Sequence, residues 1–130
     1  MGGVMGAITQ PMIDAAYRLA KEVHHLRKSE GSAVQDLERM GMSPGSAKMY
    51  IDNFSRMMVG ERITRTMSKA SFATFLNGIY NDYGEKALSN ALKATFANIL
   101  YYERCGRGRL VGVEDIANEF KRRYLKNKDS

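Results

Sequence analysis

The chain has 130 residues, 44% of them hydrophobic and 26% charged, with only two prolines. That is long enough to bury one real core, short for two domains of ordinary size, and too apolar for a disordered or low-complexity polypeptide. A net charge of +6 and a pI near 9.5 favour polyanionic partners, nucleic acid first among them, although many proteins carry such charge for solubility alone, so the placement of the charges has to decide.

The single cysteine, Cys105, excludes an internal disulfide, and no Cys/His set has zinc-ligand spacing. The opening "MGGVMGAITQ" lacks the basic leader and the apolar run of a signal peptide, and no stretch reaches the roughly 18 apolar residues of a membrane span. The expectation is a soluble, cytoplasmic protein with a flexible N-terminus (1–8), a helical domain (9–126) and a flexible C-terminus (127–130), with no cofactor and no membrane association.

In chain order, "TQPMIDAAYRLAKEVHHLRKS" predicts a first helix. Thr9 can cap it, Pro11 suits its first turn, and Met12, Ala15, Ala16, Leu19, Val23 and Leu26 share a face. A short helix, "SAVQDLERM", follows with Ser32 as its cap and Gly41 as a left-handed terminator. After the turn "MSPGS", a third helix puts Ala47, Tyr50, Ile51, Phe54, Met57 and Met58 on one stripe and leaves Lys48, Asp52, Asn53 and Arg56 off it. Gly60 interrupts that helix. Ser68 can cap a fourth that carries Phe72, Phe75, Leu76, Ile79, Tyr80 and Tyr83 and ends at Gly84.

A fifth helix over about 85–103 turns Leu88, Ala91, Leu92, Thr95, Phe96, Ile99, Leu100 and Tyr102 inward, the loop "CGRGR" breaks it, and a last helix over about 113–125 carries Ile116, Ala117, Phe120 and Tyr124. No run alternates apolar and polar residues in the manner of a strand. The fold class is therefore all-α: a compact single-domain bundle of five to six helices with short connections.

Residues 33–50, "AVQDLERMGMSPGSAKMY", have the outline of a helix-turn-helix, whose second helix would offer Ser46, Lys48, Met49 and Asn53 to a major groove. An ordinary helical corner fits the same pattern, since Leu37 stands where such a motif wants a small residue. Between Arg56 and Lys69 come Arg56, Arg62, Arg65 and Lys69 against a single acid, Glu61, with Thr64 and Thr66 interleaved. Guanidinium forks, hydroxyls and a helix start all donate to phosphate oxygens, although a solvated loop paired internally has the same composition. The loop "ERCGRGR" adds Arg104, Arg107 and Arg109 on a glycine-rich backbone.

Lys121, Arg122, Arg123, Lys126 and Lys128 also sit where a helix C-terminus favours cations, so a structural role competes there. Adjacent helical residues point about 100° apart, so His24 and His25 cannot chelate one ion together, and no metal site is expected. Cys105, although flanked by Arg104 and Arg107, has no oxyanion motif or third residue beside it, so no enzymatic activity is expected.

The runs "SPGSAKMYIDNFSRMMVGERITRTMS" and "FLNGIYNDYGEKALSNALKATFANILYYE" together resemble a helical domain found ahead of the nuclease domain in some HNH-type restriction endonucleases. The likeness covers about residues 43–103. In that family the helical domain is thought to supply DNA recognition while a metal-dependent nuclease cuts; this chain shows no His/Asn/His arrangement of such a nuclease, so the resemblance implies recognition without cleavage. The matching polar positions are Ser46, Lys48, Asn53, Arg56, Glu61, Arg62, Thr64, Arg65 and Thr66, and Ile63 stands where a tyrosine is common in the family.

The combined expectation is a DNA-binding module working mainly through phosphate contacts, with major-groove readout from the third helix. Its candidate residues are Ser46, Lys48, Asn53, Arg56, Arg62, Thr64, Arg65, Lys69, Arg104, Arg107 and Arg109. The rival is a small phage or mobile-element protein that binds and modulates a defence nuclease, since a basic domain can occupy a groove meant for nucleic acid.

Overall fold

A computed structural model describes residues 7–125, and six helices carry about three quarters of them: α1 (Gln10–His24), α2 (Glu30–Arg39), α3 (Pro44–Val59), α4 (Lys69–Tyr83), α5 (Glu85–Arg104) and α6 (Val111–Tyr124). There is no strand among the described residues. Most of the two expected loose ends, and the tail lysines Lys126 and Lys128, lie outside the described residues. The chain divides into two compact units, 7–55 and 56–125, where its length alone predicts one core, and α3 runs across the division.

In the first unit, α1 begins in a capping box. The Met12 N–H donates to Thr9 Oγ1 at 3.4 Å, and the Thr9 N–H donates back to Met12 Sδ at 3.4 Å. The helix buries Ile13, Ala16, Tyr17, Leu19 and Ala20. It stops at His24, and the chain reverses with the Arg27 N–H donating to the Glu22 carbonyl at 2.8 Å and the Leu26 N–H to the Val23 carbonyl at 3.0 Å. This pair of bonds forms a Schellman turn, with Leu26 at the left-handed position, φ 61°. Leu26 is consequently 91% exposed, not on the buried face that a continued helix would give it.

The cap of α2 is Ser29, three residues earlier than expected, with its Oγ accepting from the Ser32 N–H at 3.1 Å. Gly41 ends the helix as anticipated, at φ 103°, and the same bond pattern ties Met42 back to Leu37. Ser43 then caps α3, accepting from the Ser46 N–H at 3.1 Å. Phe54 is the hub of this unit's core, with the rings of Tyr17 and His24 meeting it edge to face at 5.6 Å and 5.5 Å.

In the second unit, α4 packs against α5 and α6, and α5 against α6. Phe72, Phe75, Leu76, Ile79, Leu88, Ala91, Ile99 and Ala117 fill the space between them. Ser68 caps α4 through the Ser71 N–H at 3.1 Å. Helix α5 runs to Arg104 and α6 starts at Val111, close to the expected bounds. Leu100 corrects the expected inner face of α5: it is 46% exposed, because it stands about 100° round the helix from buried Ile99. Tyr102 is half-buried.

Candidate nucleic-acid interface

The link between α3 and α4 is short and threads its apolar residues inward. Ile63 and Met67 are buried, which leaves Arg62, Thr64 and Arg65 on the outside. Gly60 starts the link at φ 77°, a conformation that glycine adopts without strain, and closes α3 through the Glu61 N–H donating to the Arg56 carbonyl at 2.9 Å. Three contacts lay this segment along α5. Asn90 Nδ2 donates to the Met58 carbonyl at 3.1 Å. A Cβ on Gly60 would sit 3.5 Å from both Asn90 Oδ1 and Lys93 Cδ. Two residues on, the Arg62 guanidinium lies over the Tyr101 ring, 3.8 Å from its centroid.

The Arg62–Tyr101 contact joins two stretches that are far apart in sequence. It sets the cation of the link beside the C-terminal turn of α5, where Arg104 and Arg107 are exposed. A third Schellman turn positions Arg107, whose N–H donates to the Tyr102 carbonyl at 3.2 Å, with Gly106 at φ 73°. The Arg107 guanidinium reaches 5.9 Å from the Tyr102 ring. A cation–π contact uses the charge of a guanidinium and none of its N–H donors, so the donors are left for a phosphate.

Helix α5 contributes more than its loop. Lys86, Lys93, Leu100 and Arg104 recur at intervals of seven, seven and four residues, so they share one face, and all four are exposed. With a rise of 1.5 Å per residue this stripe is about 27 Å long. Lys86 and Lys93 are absent from the residues singled out in the sequence, where attention falls on arginine-rich loops; their heptad spacing on a helix with a known inner face was the available signal.

Several candidates have other duties. Arg56 is half-buried, its Nη1 donating to the Arg62 carbonyl at 3.2 Å and lying 3.7 Å from Glu61 Oε1, so it braces the link from beneath. Arg109 is held by two acids, at 2.8 Å from Glu114 Oε1 and 3.8 Å from Glu103 Oε2. The hydrogen bond to Glu114, then the charges of Glu114 and Glu103, raise its pKa further and compensate its charge locally. Lys69 is exposed, and its stem packs so closely on Gly112 that a Cβ there would come within 2.5 Å of Lys69 Cδ. The Thr66 hydroxyl donates to the Met67 carbonyl at 3.5 Å.

The remaining candidates belong to the first unit. Asn53 is 0% exposed, and its Nδ2 donates to Met49 Sδ at 3.1 Å. It is a core residue, not a base reader, because it falls on the inward side of α3 next to Phe54. Ser46 is half-buried in the first turn of α3, and Lys48 is exposed. The helix-turn-helix outline of α2 and α3 thus retains one well-exposed early cation.

Among the described residues no group of three or more His, Cys, Asp or Glu side chains could hold a metal ion. The His24 and His25 rings meet edge to face at 5.1 Å. Cys105 is exposed at the end of α5. No helix among the described residues is long and apolar enough to cross a membrane. Compared with known protein families, with curated proteins and with solved structures, the chain matches none.

Proposed function

We propose that the chain is a DNA-binding module that grips the phosphate backbone of a duplex through its second unit. The observation that carries this reading is the Arg62–Tyr101 stack at 3.8 Å, which brings the basic link to the arginine-bearing end of α5. With Lys93 and Arg104 on the exposed stripe of α5, and Arg107 just beyond it, cations from two separate segments serve a common surface. Arg65 and Lys69, exposed on the same link and at the start of α4, are further candidates for phosphate contact. Arg109, compensated by Glu103 and Glu114, contributes least. Lys48 is the remaining candidate for base contact on α3.

The resemblance of residues 43–103 to the helical domain of HNH-type restriction endonucleases points the same way, towards recognition within restriction or phage defence. Double charge reversal, Arg62→Glu with Arg65→Glu, tests the reading in a gel-shift or anisotropy titration. Affinity for duplex DNA is expected to fall at least about tenfold, because two phosphate contacts become two repulsions; unchanged affinity removes this surface. Tight capture of a nuclease by a chain that does not bind duplex would favour the rival reading of a nuclease-modulating protein, for which Val59, Leu100 and Val111, exposed apolar side chains of α3, α5 and α6, offer contact area.

A further inference from the structure

We infer that the same surface holds a platform for one unpaired base, built on Tyr101, so that the module binds single-stranded or locally opened nucleic acid as well as the backbone of a duplex. The inference rests on the proposed phosphate grip and deepens it by naming a nucleotide subsite.

Tyr101 is 42% exposed and its neighbour Leu100 is 46% exposed, both on the last full turn of α5. These are two large exposed side chains near the end of an otherwise well-packed helix, about 100° apart round its axis, whose exposure the helical fold does not need. Aromatic rings beside cations are what single-strand binding surfaces use: bases stack on the ring in a sequence-tolerant way while arginines take the flanking phosphates. Here the cations are already in place. The Arg62 guanidinium covers the Tyr101 ring at 3.8 Å, and Arg104 and Arg107 are exposed three and six residues further along.

A planar cation stacked on the ring occupies the position that a base would take. In the bound state the base replaces it over Tyr101 and the Arg62 fork turns to the adjacent phosphate, exchanging a cation–π contact for a charge-assisted hydrogen bond. In double-helical DNA the bases are stacked within the duplex, so an intact duplex engages the cations and leaves Tyr101 unused.

The test compares Tyr101→Ala and Tyr101→Phe with the wild type, using a fluorescent 12-mer of thymidines and a 16-base-pair duplex. Loss of a base–aromatic stack is expected to weaken Tyr101→Ala binding to the single strand about tenfold, within the range of alanine substitutions at such platforms. Tyr101→Phe keeps both affinities, and Tyr101→Ala loses several-fold less affinity for the duplex than for the single strand, since the duplex loses only the ring's support of Arg62 while the other phosphate contacts remain. Because Tyr101 is exposed, both variants are expected to fold, and circular dichroism checks this. Unchanged single-strand affinity in Tyr101→Ala overturns the platform, as does an equal loss for single strand and duplex, which would make the ring only a support for Arg62. A wild-type chain that binds neither probe refutes the phosphate grip itself, and wild-type binding of the duplex alone refutes only the platform.

Discussion

Replacing Leu26 by glycine is expected to make the protein more stable, although it removes a large apolar side chain. Leu26 holds φ 61° in the turn that ends α1, where a side chain with a Cβ crowds its own carbonyl at a cost of about 1–2 kcal/mol. Its side chain is 91% exposed, so almost no buried area is lost on removing it. The two backbone bonds of the turn, Arg27 N–H to the Glu22 carbonyl and Leu26 N–H to the Val23 carbonyl, involve no side chain and survive. Glycine costs the unfolded chain roughly 0.5–1 kcal/mol more backbone entropy on folding, which leaves a net gain of about 0.5–1 kcal/mol. Urea denaturation followed by circular dichroism measures it, with Leu26→Ala as control. Alanine keeps the Cβ and the strain, and should stay within about 0.5 kcal/mol of the wild type, as exposed substitutions generally do. A glycine variant no more stable than the alanine variant, or less stable than the wild type, refutes the strain argument.

Acidification should weaken the first unit through His24. Burial, and after it the charge of His25, lower the His24 pKa below its ordinary 6.5. The unfolded chain therefore takes up a proton that the folded chain resists, so stability is lost as pH falls below 6.5 towards the folded value. His24→Gln should flatten that part of the stability-versus-pH curve, and a curve of unchanged slope would count against the assignment. Freeing Arg109 should strengthen binding. Glu103→Gln with Glu114→Gln removes both of its acidic partners, so duplex affinity is expected to rise several-fold and the salt slope to steepen by about one. No change in either quantity would place Arg109 outside the interface.

The helices were legible because each is written in a local code. Thr9, Ser68, Gly41 and Gly84 punctuate the chain where the caps and turns fall, and the 3.6-residue rhythm of Phe72, Phe75, Leu76 and Ile79 marks the inside of α4. Errors came where local pattern was not enough. Leu26 matches the apolar rhythm of α1, but the helix stops two residues before it, a choice made by the backbone hydrogen bonds of the turn and not by hydrophobicity. Leu100 has the apolar character of an inner residue, although its angle on the helix faces out.

The candidate surface was legible as composition and not as geometry. That Arg62, Arg65 and Arg107 are exposed could be guessed from their polar settings, yet nothing local to Arg62 indicates a tyrosine 39 positions later beneath its guanidinium. Asn53 illustrates the converse. A polar residue off the apparent stripe of α3 reads as a surface group until the packing round Phe54 buries it and gives its amide to Met49. Arg56 and Arg109 likewise carry the right charge but spend it on the Arg62 carbonyl with Glu61, and on Glu103 with Glu114.

The most direct measurement is the binding of the wild-type chain to a 16-base-pair fluorescent duplex, followed by anisotropy from 50 to 200 mM salt. If Arg62, Arg65, Lys69, Lys93, Arg104 and Arg107 each neutralise a phosphate, the slope of log K against log salt is about −5, and affinity falls roughly a thousandfold across that range. No binding at 50 mM, or a slope shallower than about −1, which is one contact or fewer, would contradict the phosphate grip.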